Sequence, residues 1–307
     1  MKSLVIGSNG YLGRHITRAI RYLGWQATTA DLQDAAWDGD PAYRRCDMRC
    51  KEDLLNLDWD VDLVWLFGGL SGTTVGFERY EDYIDVNEKG LVGVLEMIRT
   101  QASCRPKLIF PSSRLVYLGK NGEPLREDGE LNSLTVYSVN KRAAEMYLEL
   151  YRKVFGLRYT VFRICVPYGN LLDDEYSYGT TGFFMRYALA GEDIPIYGDG
   201  AQQRTFTHVD DLCQQLIMAA AKAESEGRVL NVAGGDDLAI RAAAQMIADH
   251  FGVRVKSIAW PELDRACESG DTIFDGSAIR EMTGYTCRYR FQNWVASLPR
   301  GAAARGQ

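Results

Sequence analysis

Tyr137-Ser138-Val139-Asn140-Lys141 places a phenol and an ammonium four residues apart, which on a helix means one face and one turn. An ammonium at that distance favours the phenolate, so the pair has the chemistry of a proton shuttle working near neutral pH. A second constellation opens the chain: Gly7-Ser8-Asn9-Gly10-Tyr11-Leu12-Gly13 follows a short apolar run and leads into an amphipathic segment. Glycines at that spacing let the backbone turn tightly and lie against a pyrophosphate, which the helix N-terminus then stabilises. Asp31 ends the next apolar run, 24 residues after Gly7. A carboxylate there accepts from the adenosine ribose hydroxyls of a dinucleotide and repels a 2′-phosphate. Leu32-Gln33 brings no compensating arginine, so Asp31 points to NAD rather than NADP. With a dinucleotide present, Lys141 also reaches the nicotinamide ribose.

These residues need elements to hold them. Ser3 to Ile6, Ala27 to Ala30, Leu63 to Phe67, Lys107 to Phe110 and Tyr159 to Ile164 read as buried strands. Tyr11 to Leu23, Tyr83 to Arg99 and Tyr137 to Phe155 have helical periodicity and helical length. Strand and helix in alternation give parallel strands with crossover helices, hence an α/β, doubly wound parallel sheet of Rossmann type. After Pro167 the pattern breaks: 168–203 is rich in Gly, Tyr, Asp and Thr, a strand–helix unit returns at Arg204 to Ala223 and Val229 to Val232, and one helix, Leu238 to Phe251, stands out near the end. The expected organisation is a dinucleotide-binding domain of residues 1–167 plus about 204–233. A smaller, discontinuous substrate lobe takes about 168–203 plus 234–307. The small, polar tail Gly301 to Gln307 is expected to fray.

Together the glycine loop and the Tyr137/Lys141 pair resemble the short-chain dehydrogenase/reductase superfamily, and the chain length points to its extended subfamily of NAD-dependent nucleotide-sugar epimerases, dehydratases and reductases. The resemblance runs over nearly the whole chain. Pro111-Ser112-Ser113-Arg114-Leu115-Val116-Tyr117 is similar to the family's Ser-Ser-x-x-x-Tyr segment, which makes Ser113 the catalytic hydroxyl that hydrogen-bonds the reacting sugar oxygen beside Tyr137. Cys46-Asp47-Met48 resembles the adenine-side segment, with Asp47 as an acceptor for the base and Met48 beside it. Phe67-Gly68-Gly69 takes the place of the third strand's cofactor-facing end, and Arg163 to Gly169 resembles the RxxNxYG turn. Tyr197 to Asp211 (YGDGAQQRTFTHVDD) matches the signature in which the arginine, here Arg204, binds the substrate diphosphate. A guanidinium suits that task because it can grip phosphate oxygens two at a time. His208 is then structural. Asn231 to Gly235 resembles the family's NVGGG strand end.

Three departures stand out. Val166 replaces the Asn of the turn. Glu268-Ser269 precede Gly270-Asp271 where a second diphosphate arginine is sought, leaving Arg265 or Arg290 as substitutes. Arg114-Leu115 follow Ser113 where a 4,6-dehydratase carries an Asp-Glu pair. The resemblance therefore implies a nucleotide-diphosphate-sugar epimerase acting by transient hydride transfer. Reduction of an NDP-4-keto-6-deoxy sugar is the alternative, and a non-catalytic NAD-sensing protein is opposed by the intact Ser113, Tyr137 and Lys141. The family's usual assembly implies a homodimer through helices of the Rossmann domain.

Composition bounds the rest. The 307 residues carry a formal net charge of −6, which argues against a nucleic-acid surface. No signal-peptide pattern and no run near the ~18 apolar residues of a membrane span is visible. Seven cysteines without a CxxC pair or neighbouring histidines read as reduced thiols with no metal. A cytoplasmic location is the expectation.

Overall fold

A computed structural model of the chain describes residues 1–172 and 178–299. The tail Gly301 to Gln307 and residues 173–177 of the expected lobe lie outside the described residues. Backbone packing divides the chain into two units. The first contains Met1–Val116, Leu131–Arg163 and Leu216–Leu230; the second contains Tyr117–Glu130, Ile164–Gln215 and the chain from Asn231 onward. The second unit thus includes residues 117–130, 164–167, 204–215 and 231–233, which the sequence pattern places with the dinucleotide domain.

The first unit is organised by a seven-stranded sheet. Its strands are β1 (Lys2–Ile6), β2 (Gln26–Asp31), β3 (Arg44–Arg45), β4 (Leu63–Leu66), β5 (Lys107–Ser113), β6 (Arg158–Ile164) and β7 (Arg228–Val232), in the order β7-β6-β5-β4-β1-β2-β3. The pairings β1–β2, β1–β4, β2–β3 and β4–β5 are parallel. Every residue of β4 and β5 is buried, as befits parallel strands covered on both faces. Lys107 tolerates this because its Nζ donates to Ala220 O, Lys222 O and Ser225 Oγ at 2.6–3.1 Å. Helices α1 (Tyr11–Tyr22), α2 (Leu91–Thr100) and α3 (Val136–Phe155) fill the connections. Leu4, Ile6, Val64, Leu66, Leu108 and Phe110 of the sheet pack with Val94 and Leu95 of α2 and Ala144 and Leu148 of α3 in one core.

The chain runs outward from β1 in one direction to β3 and in the other from β4 to β7. This reversal between β1 and β4 is where open α/β sheets bind ligands, and Gly7 and Phe67-Gly68 stand at the ends of those two strands. The helix expected over Tyr83 to Arg99 is interrupted. A short helix Tyr80–Ile84 passes into a π-helical turn at Asp85–Gly90 before α2 begins. The widened turn carries Asn87, whose amide accepts from Leu70 N at 2.8 Å and donates to Leu70 O at 3.0 Å. That tie spans 17 residues, and a local hydrophobic period does not register it.

In the second unit Gln203–His208 pairs with Asp236–Ala239 (antiparallel) and Val166–Tyr168 (parallel). Ile194–Tyr197 pairs with Val255–Ile258, and Pro124–Leu125 with Ile273–Phe274. Helices Gly179–Leu189 and Ile240–Phe251 belong to this unit.

Candidate active site

Where β1 ends, Gly7 turns with φ +85°, and Gly7 N and Ser8 N both donate to Ala30 O. A Cβ on Gly7 would lie 2.1 Å from Gly68 N, and one on Gly13 would lie 2.0 Å from Gly7 O. The first glycine thus permits the left-handed turn and the approach of β4; the third lets α1 press against the loop. Asp31 completes the frame: its Oδ2 accepts from Asn9 N at 2.9 Å and its Oδ1 from Leu32 N at 2.7 Å. Each oxygen keeps acceptor capacity for a ribose hydroxyl.

A cavity of about 350 Å³ lies over this frame, lined among others by Gly7, Asn9, Gly10, Asp31, Asp47 and Met48, with Phe67 and Gly68 on its β4 side. Asn9 uses its side chain on the loop after β2, donating to Gln33 Oε1 and Ala35 O and accepting from Trp37 N. Tyr11 and Leu12, in the first turn of α1, are partly exposed. Asp47 is gripped by Arg49 through Nε and Nη2 at 2.7–3.1 Å, and that guanidinium holds its carboxyl below the usual range. Met48 packs against Gly68, where an added Cβ would meet its thioether at 3.1 Å. Glycines whose side-chain space is taken by backbone, with a carboxylate beyond them, fit a bound dinucleotide.

The expected catalytic residues Ser113, Tyr137 and Lys141 lie on β5 and α3. Thr135 caps α3: its hydroxyl accepts from Ser138 N and its own N–H donates to Ser138 Oγ, each at 3.0 Å. This reciprocal cap fixes the first turn, which carries Tyr137. One turn on, Lys141 Nζ donates to Pro111 O at 2.7 Å and lies 4.4 Å from the Phe110 ring and 5.6 Å from the Tyr137 ring. Burial pushes the Lys141 ammonium down to about 7, with the Glu145 carboxylate pulling it upward. Ser113, the last residue of β5, is 8% exposed and its Oγ accepts from Leu115 N at 3.2 Å. Lys141 therefore ties α3 to the strand two residues before Ser113.

Several supporting residues escaped the sequence reading. Glu145 continues the Tyr137/Lys141 face by one more turn. It accepts from Ser112 Oγ at 2.6 Å and from Arg163 Nε and Nη2 at 3.0 and 2.7 Å, all inside the first unit. Burial works to raise this carboxyl, but the Arg163 pair outweighs it and the group ends below its ordinary value. Asn140 donates to Glu88 Oε1 at 2.6 Å, joining α3 to the π-helical turn. The i, i+4 repeat from Tyr137 through Lys141 was the available signal for Glu145; nothing local marks Asn140.

The second unit holds Arg204 on the strand Gln203–His208. It is 2% exposed; Nη1 donates to Gln203 O and Gly270 O at 2.8 and 2.7 Å, and Nη2 to Glu268 Oε1 at 2.5 Å. Neither expected substitute joins it: Arg265 is exposed, and Arg290 faces Asp236 at 3.7 Å. His208 is buried, stacked on Tyr289 at 3.8 Å, and accepts from Asp210 N, as a structural residue does. Among the described residues no group of three or more His, Cys, Asp or Glu could hold a metal ion, and no helix is long and apolar enough to cross a membrane.

The sequence model of the NAD dependent epimerase/dehydratase family matches residues 3–233. The UDP-N-acetyl-alpha-D-glucosaminuronate decarboxylase of Bacillus cytotoxicus is 28% identical over 265 residues, 80% of this chain and 79% of that protein. The UDP-glucuronate 4-epimerase of Thermodesulfobacterium geofontis is 23% identical over 292 residues, 86% and 88% of the two chains. A Methanocaldococcus jannaschii relative, 29% identical over 175 residues, is matched over 56% of its own length. In fold, the chain is similar to the Thermus thermophilus UDP-glucose 4-epimerase in complex with NAD, with TM-score 0.84 at 22% identity over 96% of both chains.

Proposed function

The chain belongs to the NAD-dependent epimerase/dehydratase family, and from that premise we propose that it epimerises a nucleotide-diphosphate sugar. The observation that carries this reading is the buried Lys141 ammonium, lodged between the Tyr137 ring and the Pro111 carbonyl at the end of the strand that presents Ser113. NAD, the family's cofactor, supplies the hydride acceptor and donor when bound. Gly7, Gly10, Gly13 and Asp31 would hold its adenosine diphosphate half, with Asp47 and Met48 on the adenine side and Phe67 and Gly68 at the cofactor-facing end of β4. Tyr137 removes and returns the proton of the sugar hydroxyl, Ser113 hydrogen-bonds the same oxygen, and Lys141 favours the phenolate. Arg204 anchors the diphosphate. In this reading the first unit binds the dinucleotide and the second the sugar nucleotide. Arg114-Leu115, in the 3₁₀ turn after Ser113, provide neither acid nor base for water elimination, which disfavours a dehydratase.

The protein is proposed to act in the cytoplasm, in carbohydrate biosynthesis, as a homodimer. Val139, Met146, Leu150 and Val154 form one stripe on α3 and are 50–65% exposed, which supports pairing through that helix. The deciding experiment follows the redox balance. An epimerase regenerates its cofactor every cycle, so the reduced-nicotinamide absorbance stays flat while NMR shows the sugar's stereochemistry change. Stoichiometric loss of NAD(P)H on a 4-keto-6-deoxy substrate, with no isomerisation of any non-keto sugar nucleotide, would establish the reductase instead.

A further inference from the structure

Arg204 presents an oxyanion-binding edge that is only half used. Its guanidinium has five N–H donors, and Nη1 spends its two on the carbonyls of Gln203 and Gly270. The other edge, Nε with Nη2, is the fork that grips two oxygens of one oxyanion. Glu268 Oε1 fills the Nη2 half at 2.5 Å. Nε is buried and donates to no acceptor among the described residues. A buried donor left unmet is costly, so this pairing is not the best the edge can make.

Glu268 is also placed to leave. Its side chain is 24% exposed against 2% for Arg204, so Glu268 reaches solvent while the guanidinium it pairs with does not. The backbone around it is fixed: Gly119 N donates to Ser269 O at 2.7 Å, Lys120 N to Asp271 O at 3.1 Å, and Gln203 N to Asp271 Oδ1 at 2.7 Å. The crossing at Gly119 is tight, since a Cβ there would lie 2.2 Å from Ser269 O. Vacating Nη2 therefore takes a rotation of the Glu268 side chain and no movement of the chain. The same oxygen accepts from Gly270 N at 3.0 Å, which holds the carboxylate inward until a stronger partner arrives.

We propose that Glu268 is an internal stand-in for the substrate's diphosphate, resting on Arg204 in the free protein and displaced when a diphosphate takes both Nε and Nη2. Its negative charge sets the affinity of the site: a ligand must bring two oxyanion acceptors to outcompete it, so nucleosides and uncharged sugars do not open it. The inference rests on the reading that Arg204 anchors a diphosphate, and the test separates the two.

UDP, dTDP, GDP, CDP and ADP are titrated calorimetrically into the NAD-saturated full chain and into its Glu268→Gln variant. The amide keeps the size and the hydrogen bond while removing the charge. The expected result is binding of at least one diphosphate at least tenfold tighter to the variant, with NAD affinity unchanged. If a diphosphate binds the unmutated protein and Glu268→Gln binds it no tighter, the carboxylate is a fixed structural partner; the stand-in role falls while anchoring by Arg204 stands. If no diphosphate binds either protein although NAD does, both readings fall. Should Glu268→Gln not fold, Glu268→Asp, whose carboxylate ends one methylene short of Nη2, is read in the same way, with a several-fold gain expected.

Discussion

Lys141 answers two opposed demands. In the proposed mechanism it is the ammonium that makes Tyr137 a usable proton acceptor; as a side chain 8% exposed it is stripped of water, and burial pushes it down to about 7. Pro111 O and the face of the Phe110 ring offset part of that cost, and Glu145 offsets a further part from one turn away, but burial prevails. The balance has a sign that can be measured. An unfolded lysine titrates near its ordinary 10.5, so between about pH 7 and that value the unfolded chain holds a proton that the folded chain has released. Folded stability therefore rises with pH through this window, and below about pH 7 the burial penalty is present in full. Lys141→Met removes the titration, so the stability difference, variant minus unmutated, should be largest near pH 6 and shrink steadily by pH 9.5 in urea denaturation. A difference independent of pH would show that burial does not tune this ammonium. Tyr137→Phe tests the partner. The phenyl ring retains the packing near Lys141, so NAD affinity should stay near normal while turnover falls about 100-fold or more, the usual scale for a lost general acid–base. Near-normal turnover would remove Tyr137 from the chemistry.

At the scale of elements, the dinucleotide frame depends on how closely α1 approaches the loop after β1. Gly13 and Gly10 look alike in sequence, but the structure separates them. A Cβ on Gly13 would come within 2.0 Å of Gly7 O, whereas one on Gly10 meets that oxygen at 3.4 Å with an ordinary φ of −71°. Gly13→Ala is expected to cost about 1–3 kcal/mol, the scale of an overpacked core, and Gly10→Ala much less. Equal losses in thermal or urea unfolding would mean that helix–strand approach is not what the third glycine serves. The same comparison shows what sequence conveys. The glycine loop, Asp31 and the Tyr137/Lys141 spacing are local patterns on a strand end or helix face, whereas Ser113 stands out only through the resemblance to the family's segment. The tie between Asn140 and Glu88, 52 residues apart, and the partner of Arg204, 64 residues away, arise from tertiary approach. The π-helical turn at Asp85–Gly90 was hidden because apolar periodicity survives one widened turn.

For the whole molecule, the question is what α3 does with its outer face. Its inner face buries Ala144 and Leu148 in the core and carries Lys141 and Glu145. On the outer face Val139, Met146, Leu150 and Val154 stand in one stripe, and Tyr80 and Ile84, 53% and 39% exposed, lie on the short helix Tyr80–Ile84 of the same unit. In the proposed homodimer these apolar side chains, aligned from Val139 to Val154 on one helix, would be buried against their own equivalents on the second copy. Charge placed in the middle of such a seam is costly in the pair and nearly harmless in a single chain facing water. The double variant Met146→Glu, Leu150→Glu is therefore expected to sediment as a monomer at concentrations where the unmutated protein sediments as a dimer. NAD affinity should be unchanged, because neither residue lines the dinucleotide cavity. A double variant that remains dimeric, or an unmutated protein that is monomeric at tens of micromolar, would leave the stripe without the role assigned to it.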